Sequence, residues 1–163
     1  MSNRDDPNSD RLPKRRHLRR LTSVFIEPAR FLLTVTAIDR QPLFQNAELA
    51  KATIKALRET RLSHGWRVGI FVIMPDHVHF FCRAVNDIHT LSTFVGAFKG
   101  VSTQEAWQLG WDGRLWQAEF HDRLQRSPES YARKCEYVRM NPVRAGLCGK
   151  PEDWPWSGKM DDL

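Results

Sequence analysis

His77 and His79 flank Val78 in the run HVHFF, and this pair is where the sequence first offers chemistry. In an extended strand, alternate side chains leave opposite faces, so both imidazoles emerge together and Val78 points the other way. Two neutral imidazoles side by side can clamp a divalent cation. The same spacing also suits two ordinary surface histidines. The chain's two tyrosines, Tyr131 and Tyr137, share one helical segment just ahead of Asn141-Pro142. Tyr131, Cys135 and Val138 fall on one stripe of it, whereas Tyr137 has Arg133 and Lys134 behind it and Asn141 one turn ahead. By spacing alone Tyr131 reads as core, and Tyr137 either as amphipathic surface or as a functional group. If the Tyr137 face is presented to the histidines, Asn141 adds an amide oxygen as third ligand and Tyr137 a phenol as nucleophile. A phenol ionises near ~10, so attack at neutral pH needs a polarised electrophile or neighbouring cations such as Arg133 and Lys134. A divalent cation on a phosphate oxygen would supply that polarisation, and the sum is a site for cutting a phosphodiester through a phosphotyrosine.

The elements that must position these residues are legible in the hydrophobic pattern. Residues 30–37 are β-rich and read as a first strand. Asn46 is a helix N-cap for a segment running to about His64, with Gly65 as its stop. Residues 66–74 form an apolar second strand, central in its sheet. Pro75 and Asp76 make the turn into a third strand over 77–84, closing a hairpin. Ser92 is expected to cap a helix over 93–109 that buries Phe94 and Phe98. Residues 110–122 read as a short strand or ordered loop, Ser127-Pro128 opens a helix to about Met140, and Trp154 to Ser157 closes an irregular tail. The order is that of an α+β fold, a ferredoxin-like split βαβ unit, with helices packed on one face of an antiparallel sheet and the tyrosine on a C-terminal helix.

The stretch MPDHVHFF, Met74 to Phe81, resembles the histidine-hydrophobic-histidine motif of single-tyrosine transposases. LWQAEFHDRLQRSPESYARKCEYVRMNPVRAGL, Leu115 to Leu147, with Trp154-Pro-Trp-Ser and the FKG at Phe98 to Gly100, is similar to the REP-associated tyrosine transposases of that superfamily. The resemblance implies that His77, His79 and Asn141 hold Mg²⁺ or Mn²⁺. It further implies that Tyr137 attacks single-stranded DNA at palindromic repeats folded as hairpins, leaving a 5′-phosphotyrosine and a free 3′-hydroxyl. Rejoining would then need no ATP, and a monomer is expected.

Charge and composition bound the rest. The formal net charge is +6, and residues 1–20 hold seven basic and three acidic residues, so most of the excess lies there. That segment is poor in apolar side chains and reads as a disordered basic arm, followed by a single domain over 21–163. Arg15, Arg16, Arg19 and Arg20 of the arm, with Lys99, Arg133, Lys134 and Arg144, are the candidate DNA contacts. Trp111 and Trp116 could stack on unpaired bases but are better explained as core. His121 could approach the site or line a DNA groove, but a structural role fits it better. Three cysteines without C-x-x-C spacing argue against a disulfide framework or zinc knuckle. No apolar run is long enough for a membrane span, and a cytoplasmic location is the simplest expectation. A protein that keeps the fold for DNA binding or regulation without turnover is the alternative.

Overall fold

Residues 29–163 are described by a computed structural model of the chain. The expected arm over 1–20, with Arg15, Arg16, Arg19 and Arg20, lies outside the described residues. The apolar runs become β1 (Arg30–Thr36), β2 (Trp66–Met74) and β3 (His77–Ala84), and two shorter polar segments become β4 (His121–Gln125) and β5 (Ser157–Lys159). They form one antiparallel sheet in the order β4-β1-β3-β2-β5. The β2–β3 hairpin expected from Pro75-Asp76 is present, with Met74 paired to His77.

The helices begin where polar side chains can satisfy free backbone N–H groups. The Asn46 side chain accepts from the N–H groups of Glu48 and Leu49 at the start of α1 (Ala47–Ser63). Gly65, at φ +65°, turns the chain out of that helix into β2. α2 (Leu91–Gln108) is capped by Thr90, not by Ser92 as expected from sequence. Leu91 is buried in line with Phe94, Val95 and Phe98, which places the first turn earlier. Ser127 caps α3 (Pro128–Arg139), and a four-residue α4 (Asn141–Arg144) follows after Met140.

α1 and α2 cover one face of the sheet, as expected, around Leu33, Val35, Phe80, Phe94 and Phe98. α3 takes the opposite face, where Val138 packs with Val72, Met74 and Phe81. β2 can serve both cores because it is apolar on both sides. A bulge between Val68 and Phe71 shifts its register, so Val68 and Phe71 face the first core while Val72 and Met74 face the second. At the bulge, a Cβ on Gly69 would lie 2.8 Å from a Leu163 methyl, so glycine lets the Leu163 side chain pack close against the strand.

Residues 154–156 are irregular, as expected, and Ser157 opens β5 on the outer edge of β2. Trp154 Nε1 donates to the Ile73 carbonyl at 2.9 Å, and the Ile73 N–H donates to Trp156. Asp161 receives both a bidentate contact from Arg61 Nη1, at 2.8 and 2.9 Å, and the Val68 N–H. These bonds strap the last residues to β2 and α1. Among the described residues no helix is long and apolar enough to cross a membrane.

Candidate functional site

Strand periodicity brings the two histidines to the α3 face. Val78, Phe80 and Cys82 belong to the core under α1 and α2, so His77, His79 and Phe81 point the other way. His77 Nε2 and His79 Nε2 lie 3.2 Å apart. Each ring is held from behind. His77 Nδ1 lies 2.6 Å from the Asp76 carboxylate, which can only accept, so that nitrogen donates and Nε2 keeps its lone pair. The other Asp76 oxygen is 3.7 Å from Arg40, which sits in a turn where Asp39 and Arg40 both adopt positive φ. His79 Nδ1 meets the Thr34 hydroxyl at 2.8 Å, and a hydroxyl can serve either tautomer by donating or accepting. Burial, reinforced by the neighbouring His77, pushes the His79 pKa down to about 4, so its ring is neutral at pH 7.

This donor set fits a divalent cation. Two nitrogens 3.2 Å apart match the separation of two ligands each about 2.1 Å from one metal. The carboxylate behind His77 is the arrangement that orients a ligating imidazole. Imidazole pairs suit Mn²⁺ and later transition ions better than Mg²⁺, which prefers an all-oxygen shell. Among the described residues no group of three or more His, Cys, Asp or Glu side chains gathers around one point, which leaves room for an amide, water or phosphate as further ligands.

α3 lies beside this pair through Val138. Val72 and Met74, which Val138 packs against, are the strand partners of His79 and His77. Tyr137, the adjacent residue, is 49% exposed. No hydrogen bond joins Tyr137 to either histidine among the described residues; the link is Arg144. Its guanidinium carbon is 3.6 Å from the Tyr137 ring centroid, its Nη2 donates to Asn141 Oδ1 at 2.6 Å, and its charge disfavours protonation of His79. Lys134 Nζ lies 5.1 Å from the same ring, and Arg133 is exposed on α3. Tyr131 is the structural tyrosine: it meets Phe81 edge-on at 5.0 Å, and burial, with a hydrogen bond to Cys135, holds its phenol well above the usual range.

The structure thus joins Tyr137, Asn141, Lys134 and Arg144 to one another, on the helices that cover the sheet face bearing His77 and His79. Lys99 is employed elsewhere. Its ammonium donates to the carbonyls of Gln117, Ala118 and Glu119 at 2.8, 3.0 and 3.1 Å, which uses its three donors on a loop rather than on a phosphate. Trp116 is buried, with Nε1 on Ser102 Oγ, and Trp111 packs at the core margin. His121 pairs with Thr34, which pairs with His79, so it lies on the histidine face of the sheet, exposed at the β4 edge. Thr34, Asp76 and Arg40 were missed by sequence reasoning. Asp76, next to His77, carried a signal that its turn propensity masked.

An antiparallel sheet thus carries a histidine pair on the face that a tyrosine-bearing helix covers. The chain belongs to the IS200-like transposase family, whose model matches residues 29–137. It is 26% identical over 113 residues to a REP-associated tyrosine transposase of Escherichia coli K12, an alignment covering 67% of this chain. The match spans 61% of that relative's length. Among solved structures, a REP-associated tyrosine transposase bound to a REP hairpin superposes with TM-score 0.67 at 20% identity, over 86% of this chain and 82% of that one. A candidate transposase from Deinococcus radiodurans gives 0.54 at 21% identity, over 73% and 95%. Both likenesses are of fold.

Proposed function

We propose that this protein cleaves and rejoins single-stranded DNA beside a palindromic hairpin, with Tyr137 as nucleophile and a divalent cation, Mn²⁺ or Mg²⁺, at His77, His79 and Asn141. The reading takes it as a cytoplasmic monomer. The observation that carries it is the facing pair of Nε2 atoms, 3.2 Å apart and anchored from behind, on the sheet face that α3 covers. The family and the hairpin bound by a structural neighbour support DNA as the partner. When bound, the cation would neutralise charge on the scissile phosphate and orient it for in-line attack.

The chain's own residues supply the rest. The Tyr137 phenol loses its proton and its oxygen forms a bond to phosphorus. The bond from phosphorus to the 3′-oxygen breaks, and that oxygen leaves as a hydroxyl after taking a proton. The DNA 5′-phosphate remains on Tyr137. Reversal by a 3′-hydroxyl restores the phosphodiester without ATP, because the phosphotyrosine retains the bond energy. Arg144 and Lys134 place positive charge beside the ring where the phosphate must approach.

Incubation with Mn²⁺ and an end-labelled hairpin oligonucleotide bearing a single-stranded flank should yield a covalent protein–DNA adduct. Tyr137→Phe should abolish it, and His77→Ala should abolish it while leaving much of the hairpin binding. An adduct that survives Tyr137→Phe would remove Tyr137 as nucleophile. Hairpin binding without any cleavage by the unmodified protein would favour a binder that has kept the fold without turnover.

A further inference from the structure

Tyr137, Asn141 and Arg144 stand at positions i, i+4 and i+7, one stripe that continues from α3 into α4. Arg144 touches both other members of the stripe, lying over the phenol ring at 3.6 Å and donating to the Asn141 amide oxygen at 2.6 Å. The side chain is exposed, at the end of a four-residue helix that Gly146 turns away at φ +71°, so it has room to swing. A guanidinium bonded to that oxygen and a divalent cation on the same oxygen would repel each other. A phosphate offers the guanidinium a charged, bidentate acceptor in place of a neutral amide.

We propose that Arg144 is a positioning residue that couples DNA binding to metal binding. Without DNA it holds Asn141 Oδ1 and covers Tyr137; an arriving backbone phosphate draws the guanidinium away, which releases the amide oxygen to the cation and uncovers the phenol. The inference rests on the metal and nucleophile assignments above. It adds that the site is assembled by its substrate.

Linkage makes this measurable: if DNA tightens Mn²⁺ binding by some factor, Mn²⁺ tightens DNA binding equally. Calorimetric Mn²⁺ titrations are made in Tyr137→Phe protein, which keeps the ring and cannot form the adduct, with and without saturating hairpin oligonucleotide. His77→Ala titrations report Mn²⁺ held by the DNA itself. The expected coupling is about tenfold. Arg144→Ala should raise Mn²⁺ affinity in the absence of DNA and reduce the coupling to less than about threefold. With Asn141→Ala also present, removing Arg144 should change DNA-free Mn²⁺ affinity no further. A gain that persists there would show simple charge repulsion and overturn the proposal, as would full coupling in Arg144→Ala. Mn²⁺ binding that survives His77→Ala without DNA would instead overturn the metal site itself, a separate failure.

Discussion

Two tyrosines on one helix meet opposite surroundings, and the difference separates structure from chemistry. Tyr131 is packed on Phe81 with a phenol that burial makes hard to ionise, whereas Tyr137 is half exposed beneath two cations. His79 shows the same logic for a proposed ligand, since burial keeps it neutral. A neutral buried histidine also has a stability signature. Its pKa in the fold, about 4, lies below the 6.5 of an unfolded chain, so between those values the unfolded state binds more protons. Its contribution is fully present above pH 6.5 and is lost as pH falls toward 4, by at most about 3 kcal/mol. Urea unfolding of chelator-treated protein should show that loss, and His79→Gln should flatten it; an unchanged pH profile in the variant would refute the assignment. Periodicity places His77 with His79 on one strand face and Tyr137 with Asn141 on one helix face, but leaves their roles open until the family resemblance is added. Thr34, Asp76 and Arg40 act across strands and turns, where spacing carries no such information.

At the level of elements, the boundary most visible in the sequence was also the one most easily misread. Proline at 142 reads as the end of the tyrosine helix, and α3 does end at Arg139. Yet proline is tolerated in a first turn, so a new helix starts at Asn141 and keeps Arg144 in line with Tyr137. Arg144 is expected from sequence as a DNA contact, and counting i+7 through the break adds its place on the Tyr137 stripe. α3 itself lies opposite α1 and α2 because Gly69 and the β2 bulge give that strand a second apolar face, which its unbroken hydrophobic run hinted at. Lys99 illustrates the converse, a cation whose motif suggested DNA and whose contacts are carbonyls. Lys99→Met should cost about 1–3 kcal/mol through carbonyls left without a donor. It should leave the salt dependence of hairpin binding unchanged, whereas loss of a phosphate contact would lower the slope by about one.

Taken whole, the molecule carries little of its charge where its chemistry lies. Residues 1–20 hold +4 of the net +6, and the remaining residues are nearly balanced. Deleting 1–20 should therefore weaken hairpin affinity and flatten its salt dependence while the Tyr137 adduct still forms at saturating DNA. Loss of the adduct under those conditions would place the arm in the chemistry. The strap at the other end has a consequence in time. Trp154 reaches back 81 positions to Ile73, and Asp161 reaches back 100 to Arg61, so both contacts can close only after the segments between them have been synthesised. Domains made from the N-terminus can pair β2 with β3 early, since their contacts are local, whereas such distant closures come late. The hairpin that carries His77 and His79 therefore has local contacts that can form before β5, the strand that flanks β2, has been made.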